Sequence, residues 1–226
     1  MLHILQKKFI RLKLTTRKGC SMLTIEEATF LLKLARRLVT ESVSDETGEE
    51  EKVAFKTLRE KRGVFVCLRE FEKSAKRAGK VIISSGYPLP IFPIVEAVEN
   101  ASLNISIHIL RSSLREISEF LKDVIFELTI LTVPKKILVE QPIGYPREIE
   151  IGRDGLIVQR NFYTGAILPK VAIEKRWNAI EFLSECCMEA KLAADAWLEE
   201  GTSVYKFQTN VYVELEPSGK AVKVEF

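Results

Sequence analysis

Apolar positions spaced three and four apart open the ordered part of the chain. Thr24-Ile25-Glu26-Glu27 has the form of a capping box, with the threonine hydroxyl serving the Glu27 amide and Glu27 reaching back. Ala28, Leu31, Leu32, Ala35, Leu38 and Val39 then share one face, which predicts a helix over 25–43. The pattern next turns to β: Val64 to Leu68 (VFVCL) reads as a strand after Gly63, and Val81-Ile82-Ile83 as its return. Between them Glu72 to Lys80 reads as a basic connection, giving a hairpin with a long link. Gly86-Tyr87-Pro88-Leu89-Pro90 breaks the sheet, and Pro93 suits the first turn of a helix over 94–106.

Further along, Ser113-Leu114-Arg115-Glu116 is a second capping box before a short helix ending near Leu121. Val124 to Val133 is the strongest strand pattern in the chain and long enough to be central. Pro134 to Pro146 reads as a loop with at most one helical turn. Ile149–Ile151 and Leu156–Val158 flank Asp154-Gly155, which predicts a hairpin at that dipeptide. Residues 166–168 extend until Pro169 stops them, and Asn178 caps a helix over 179–191. Val204 to Leu215 and Ala221 to Phe226 close the chain as strands turned at Pro217-Ser218-Gly219. These elements predict an α+β fold, a mainly antiparallel sheet flanked by helices, in two closely packed subdomains.

Composition changes this picture only at the edges. The chain of 226 residues is 46% hydrophobic and 29% charged, which fits a globular core and excludes a mostly disordered polymer. No apolar run approaches the roughly 20 residues a membrane helix requires, and no secretory signal pattern is visible, so a cytoplasmic protein without a membrane partner is expected. The net charge of +3 is uneven: residues 1–21 hold six basic residues and no acid. Without those six, 28 of the 34 basic residues face 31 acidic ones, a net −3. Residues 1–21 therefore read as a basic extension and 22–226 as the domain, with Met22 a natural alternative start. The body is not a nucleic-acid binder by composition.

Candidate chemistry is sparse. There is no phosphate-binding glycine loop, no HExxH and no GxSxG, and the four cysteines lack zinc spacing, so neither metal nor cofactor is expected. Four features stand out: Lys61-Arg62 beside Gly63, Ser84-Ser85-Gly86 at a strand end, Arg153-Asp154 in the expected turn, and Cys186-Cys187 on the last helix. Turn chemistry, core packing or a solvated strand edge accounts for each as readily as function does.

The series IEIGRDGLIV (149–158), LPKVA (168–172), Trp177 with Phe182-Leu183, and VYKF (204–207) resembles the AMMECR domain family. Leu23-Thr24-Ile25-Glu26-Glu27 and Lys61-Arg62-Gly63-Val64-Phe65-Val66 extend the resemblance over about 22–215. It implies a compact α+β unit of two subdomains rather than a particular reaction. The family's LRGCIG motif falls on Val81 to Gly86, where the arginine is absent and the cysteine is Ser84. Arg111 falls on the arginine of a DPRF-like tetrapeptide.

Taken with the hairpin geometry, these matches predict one cleft holding Lys61, Arg62, Ser84, Gly86 and Arg111, with Ser84 the candidate catalytic group and a small anion the ligand. Serine requires a positioned base, and His108 has no evident reason to meet it. The leading functional expectation is a binding or scaffold module with a protein partner or a small anionic ligand. An enzyme acting in a cleft around Ser84 comes second, and a nucleic-acid-associated factor third.

Overall fold

The computed structural model describes residues 23–43, 55–112 and 117–224. The basic extension over 1–21 lies outside these residues, as does the second capping box over 113–116. The first capping box forms as expected: the Thr24 amide donates to Glu27 Oε2 at 2.8 Å, and the Glu27 amide to Thr24 Oγ1 at 3.1 Å. It starts α1 (Ile25–Val43), whose Ala28, Leu31, Leu32, Ala35 and Val39 are buried. A short 3-10 turn over Lys56–Arg59 then leads into β1 (Val64–Glu72) and β2 (Arg77–Tyr87).

The β1–β2 connection is shorter than the sequence suggested. Residues 77–80 belong to the strand, and only 73–76 turn, with Lys76 taking the left-handed conformation at φ 49°. α2 runs over Ile94–Arg111, five residues past the expected end, because Ile109 continues the buried stripe. α3 (Ile117–Lys122) precedes β3 (Val124–Leu131), every residue of which is buried.

The central assignment of β3 holds. One antiparallel sheet has the order β2-β1-β3-β8-β9, with β8 at Thr209–Glu214 and β9 at Ala221–Val224. α1 and α2 cover one of its faces. There Val64, Val66, Leu68, Phe126, Leu128 and Tyr212 join the helix stripes in the larger core. Strand geometry sends the alternate residues Phe65, Cys67, Arg69, Glu127 and Thr129 to the opposite face.

That opposite face meets a second antiparallel sheet, ordered β4-β7-β5-β6. Its strands are β4 (Lys135–Lys136), β5 (Gly155–Arg160), β6 (Tyr163–Ile167) and β7 (Ser203–Phe207). α5 (Ala179–Glu189) packs on it, started by a complete Asn178–Glu181 capping box. Leu131, Ile157 and Phe207 form a small apolar cluster, with Phe65 and Leu168 packed against it. All pairings in both sheets are antiparallel, so the fold is α+β as expected.

Three local expectations are corrected. Asp154-Gly155 is not a hairpin turn: β5 pairs with β6 around Asn161-Phe162, and Asn161 has φ 53°. Asp154 is instead a buried acceptor for the Glu150 amide at 3.1 Å, an i to i−4 closure that holds the loop before β5. Pro169 ends no strand but opens a short helix, α4 (Pro169–Lys175), where its missing N–H is harmless. Val204 to Leu215 is not one strand. The chain changes sheets at Gln208, whose carbonyl accepts from the Thr132 amide and whose amide donates to Thr132 Oγ1, each at 2.8 Å.

Candidate functional site

Ser84 and Gly86 lie on β2, the edge strand of the larger sheet, and Ser84 is exposed. The register places Ser84 opposite Cys67 on β1, and Cys67 opposite Glu127 on β3. The three side chains thus form a row across the face that meets the second sheet. Cys67 Sγ and Ser84 Oγ are 3.1 Å apart. Glu127 accepts from Arg69 Nη1 at 2.8 Å through one carboxylate oxygen and from Lys170 Nζ at 3.0 Å through the other. β1 supplies Arg69, and the first turn of α4 supplies Lys170 from the other subdomain.

Burial pushes the Cys67 thiol above its ordinary pKa, and the Glu127 carboxylate adds to that rise. The Ser84 hydroxyl bond opposes it, as do Lys170 and Arg69 to a smaller degree. Cys67 is therefore a neutral thiol at physiological pH, and Glu127 already engages two cations. His108 is exposed on α2, which packs on the far face of the sheet, so it does not serve Ser84. The row is polar and ordered, with a neutral thiol beside a neutral hydroxyl.

The expected five-residue cleft does not assemble. Lys61 bridges to Pro93 at the start of α2, while Arg111 is the last residue of that 18-residue helix. A rise of 1.5 Å per residue separates the two ends by about 26 Å. Arg111 also belongs to a helix on the opposite face of the sheet from Ser84. Arg62 is buried and donates to Glu60 Oε2 at 2.6 Å. Lys61 precedes Cys67, the partner of Ser84, by six residues, about 20 Å along an extended chain.

Gly86 has a packing reason for its identity. A Cβ there would lie 2.2 Å from the Val64 carbonyl oxygen and 2.6 Å from Phe65 Cα. Those are backbone atoms of the neighbouring strand and cannot step aside, so Gly86→Ala is expected to cost about 1–3 kcal/mol. Chemical denaturation checks this: a midpoint equal to that of the parent protein would show that the hairpin relaxes freely.

Two hollows flank the row. A groove of about 530 Å³ is lined by Phe65, Leu168, Val171, Trp177 and Met188, with Glu185 and Glu189 on its rim. A smaller cleft of about 190 Å³ lies between the sheets beside Lys170 and Thr129. Sequence reading missed both, because their residues come from elements far apart in the chain. It also took Cys67 for ordinary core, although alternation along β1 puts it on the face of Phe65 and Arg69.

Cys186 and Cys187 are both buried, which corrects the expectation that one lies near the surface. Burial pushes their thiols up to about 12 and about 11. The turn cations of the β1–β2 hairpin are partly paired, Lys73 with Asp123 and Arg77 with Glu72.

Comparison with known proteins agrees with this architecture. The AMMECR1 family model matches residues 32–212. Protein MK0488 of Methanopyrus kandleri is 38% identical over 198 residues, covering 87% of this chain and 93% of its own. Protein MJ0810 of Methanocaldococcus jannaschii is 34% identical over 202 residues, with coverages of 89% and 97%. The crystal structure of uncharacterized protein PH0010 from Pyrococcus horikoshii superposes with a TM-score of 0.71 at 35% identity, covering 88% of this chain and 96% of that one. The alignment that the motifs suggested is therefore a family alignment, and Ser84 with its neighbouring thiol is this chain's version of the LRGCIG segment. The chain belongs to the AMMECR1 family.

Proposed function

We propose that this protein is a cytoplasmic binding module whose groove at the subdomain junction takes a short peptide segment carrying an apolar side chain next to a lysine or arginine. The observation behind this reading is the composition of the groove. Its floor is Phe65, Leu168, Trp177 and Met188, and its rim carries Glu185 and Glu189, one helical turn apart on α5. Like charges at this spacing repel, and neither carboxylate has an ion-pair partner among the described residues. A cation from a partner would relieve that repulsion while its stem and apolar neighbour cover the floor.

The cytoplasmic setting is supported by Cys67, Cys186 and Cys187 standing as free thiols. Among the described residues no helix is long and apolar enough to cross a membrane. Binding is favoured over catalysis because Cys67 is held neutral and Glu127 is tied to two cations, so the row has no activated nucleophile.

The test uses two acetylated peptides, one alternating leucine with lysine and the other leucine with glutamate. NMR titration of the full chain should move the Trp177 indole signal with the lysine peptide alone. Glu185→Gln combined with Glu189→Gln should abolish that shift. Equal response to both peptides, or none at millimolar concentration, would sink the proposal.

A further inference from the structure

The smaller cleft calls for a different ligand. Its lining includes Thr129, Arg153, Lys170, Thr209, Asn210 and Lys223, and no acidic residue. Three separate units converge there: the sheet face through β3, β8 and β9, the loop before β5, and the first turn of α4. Thr129 is itself buried, and it follows Glu127 by two residues on the same face of β3.

The carboxylates that balance these cations stand behind them, outside the lining. Lys170 holds Glu127, while Arg153 holds Glu150 and, at 3.4 Å, Asp154. Arg69 and Lys206 also contact this set, through Glu127 and Asp154. Even with Lys223 left aside, four cations meet three carboxylates. The local field is positive, and the groups aimed into the cleft are ammonium, guanidinium, hydroxyl and amide. That donor set suits an oxyanion, because charge-assisted hydrogen bonds to phosphate or carboxylate oxygens are the strong ones.

We propose that this inter-sheet cleft is a binding site for a small multivalent oxyanion, a phosphate or a carboxylate compound. This inference stands apart from the peptide groove, since the two hollows share only Leu168 and the rest of their walls differ. It also relocates the anion site that the sequence placed around Ser84. The cations that form it are Arg153, Lys170 and Lys223, not Lys61, Arg62 and Arg111.

The experiment titrates the full chain with inorganic phosphate and, separately, with citrate, at ionic strength held constant with potassium chloride. Thermal unfolding and calorimetry are the readouts. One or both anions should raise the unfolding temperature in a saturable way, and the difference between them identifies phosphate or carboxylate as the preferred chemistry. Lys223→Ala and Arg153→Ala should each weaken binding at least tenfold, as loss of one charge-assisted contact predicts. Lys61→Ala, remote from the cleft, should leave the affinity unchanged. Circular dichroism of each variant confirms that it is folded before titration. The proposal is overturned if chloride alone reproduces the stabilisation, if neither anion binds at 10 mM (on the order of the weakest useful affinity), or if both cleft variants bind as the parent does.

Discussion

Glu214→Ala is expected to lower the stability of the protein by about 3–5 kcal/mol, the range for breaking one partner out of a buried ion pair. Glu214 closes β8, and its side chain is only 3% exposed, against 14% for Arg36 on α1. Arg36 reaches it through Nε at 3.0 Å and also through Nη2. The same carboxylate accepts the Phe126 amide of β3 at 2.9 Å. Arg36 in turn donates to the carbonyls of Leu121 and Val124, and its guanidinium lies 4.5 Å from the centre of the Phe126 ring.

Removing the carboxylate strands a buried guanidinium and a buried amide together, with little access for water to replace the lost bonds. For a domain of this size the loss corresponds to a fall in unfolding temperature of roughly 10 °C. The paired replacement Arg36→Met with Glu214→Leu should recover most of it, because apolar groups of similar volume leave no stranded charge. A single-variant loss below about 1 kcal/mol, the scale of a solvated surface pair, would show that water reaches the site.

Features set by neighbouring residues were legible in the sequence. Both capping boxes with described residues form, Thr24 with Glu27 and Asn178 with Glu181, because each needs only residues three apart. β3 was legible as central because an eight-residue apolar run has to be covered on both faces. The β1–β2 pairing was also recovered, and with it the place of Ser84 on an edge strand.

What failed depended on contacts remote in sequence. Asp154-Gly155 has strong turn propensity, yet the loop is fixed by the Asp154 carboxylate bonding back to the Glu150 amide, leaving β5 to pair with β6. The break at Gln208 has no local signal, since Thr132 makes it from 76 positions away. Arg111 was grouped with Lys61 by motif position, but α2 is a rigid rod that carries them apart. The hollows failed for the same reason. Lys170, Thr129 and Lys223 meet only once two sheets have stacked and Pro169 has started a helix against the first of them.

The stacking of the two sheets also sets the outcome at Glu127, where a second substitution separates charge from burial. Glu127 resembles Glu214 in engaging two donors, but its partners Arg69 and Lys170 are each 20% exposed and reach water on losing it. Arg69 also keeps its bond to the Gly79 carbonyl at 3.0 Å. Glu127→Ala should therefore cost about 1–3 kcal/mol, less than Glu214→Ala.

Its larger effect falls on Cys67. The Glu127 carboxylate raises that thiol's pKa, whereas Lys170 and Arg69 lower it. Deleting the carboxylate leaves the two cations unopposed, so the pKa falls and the thiolate fraction at neutral pH rises. Because the thiolate is the reacting species, iodoacetamide should modify Cys67 faster in Glu127→Ala, with the midpoint of the pH–rate profile moved to lower pH. Lys170→Met removes a lowering charge and should slow the same reaction. Both substitutions loosen the same contact, so loosening alone would speed both; opposite changes identify the field of the charges as the cause. Mass spectrometry assigns the label to Cys67, and unchanged labelling of the buried Cys186 and Cys187 confirms that the fold stays closed. Equal acceleration in both variants would defeat the electrostatic account of this row.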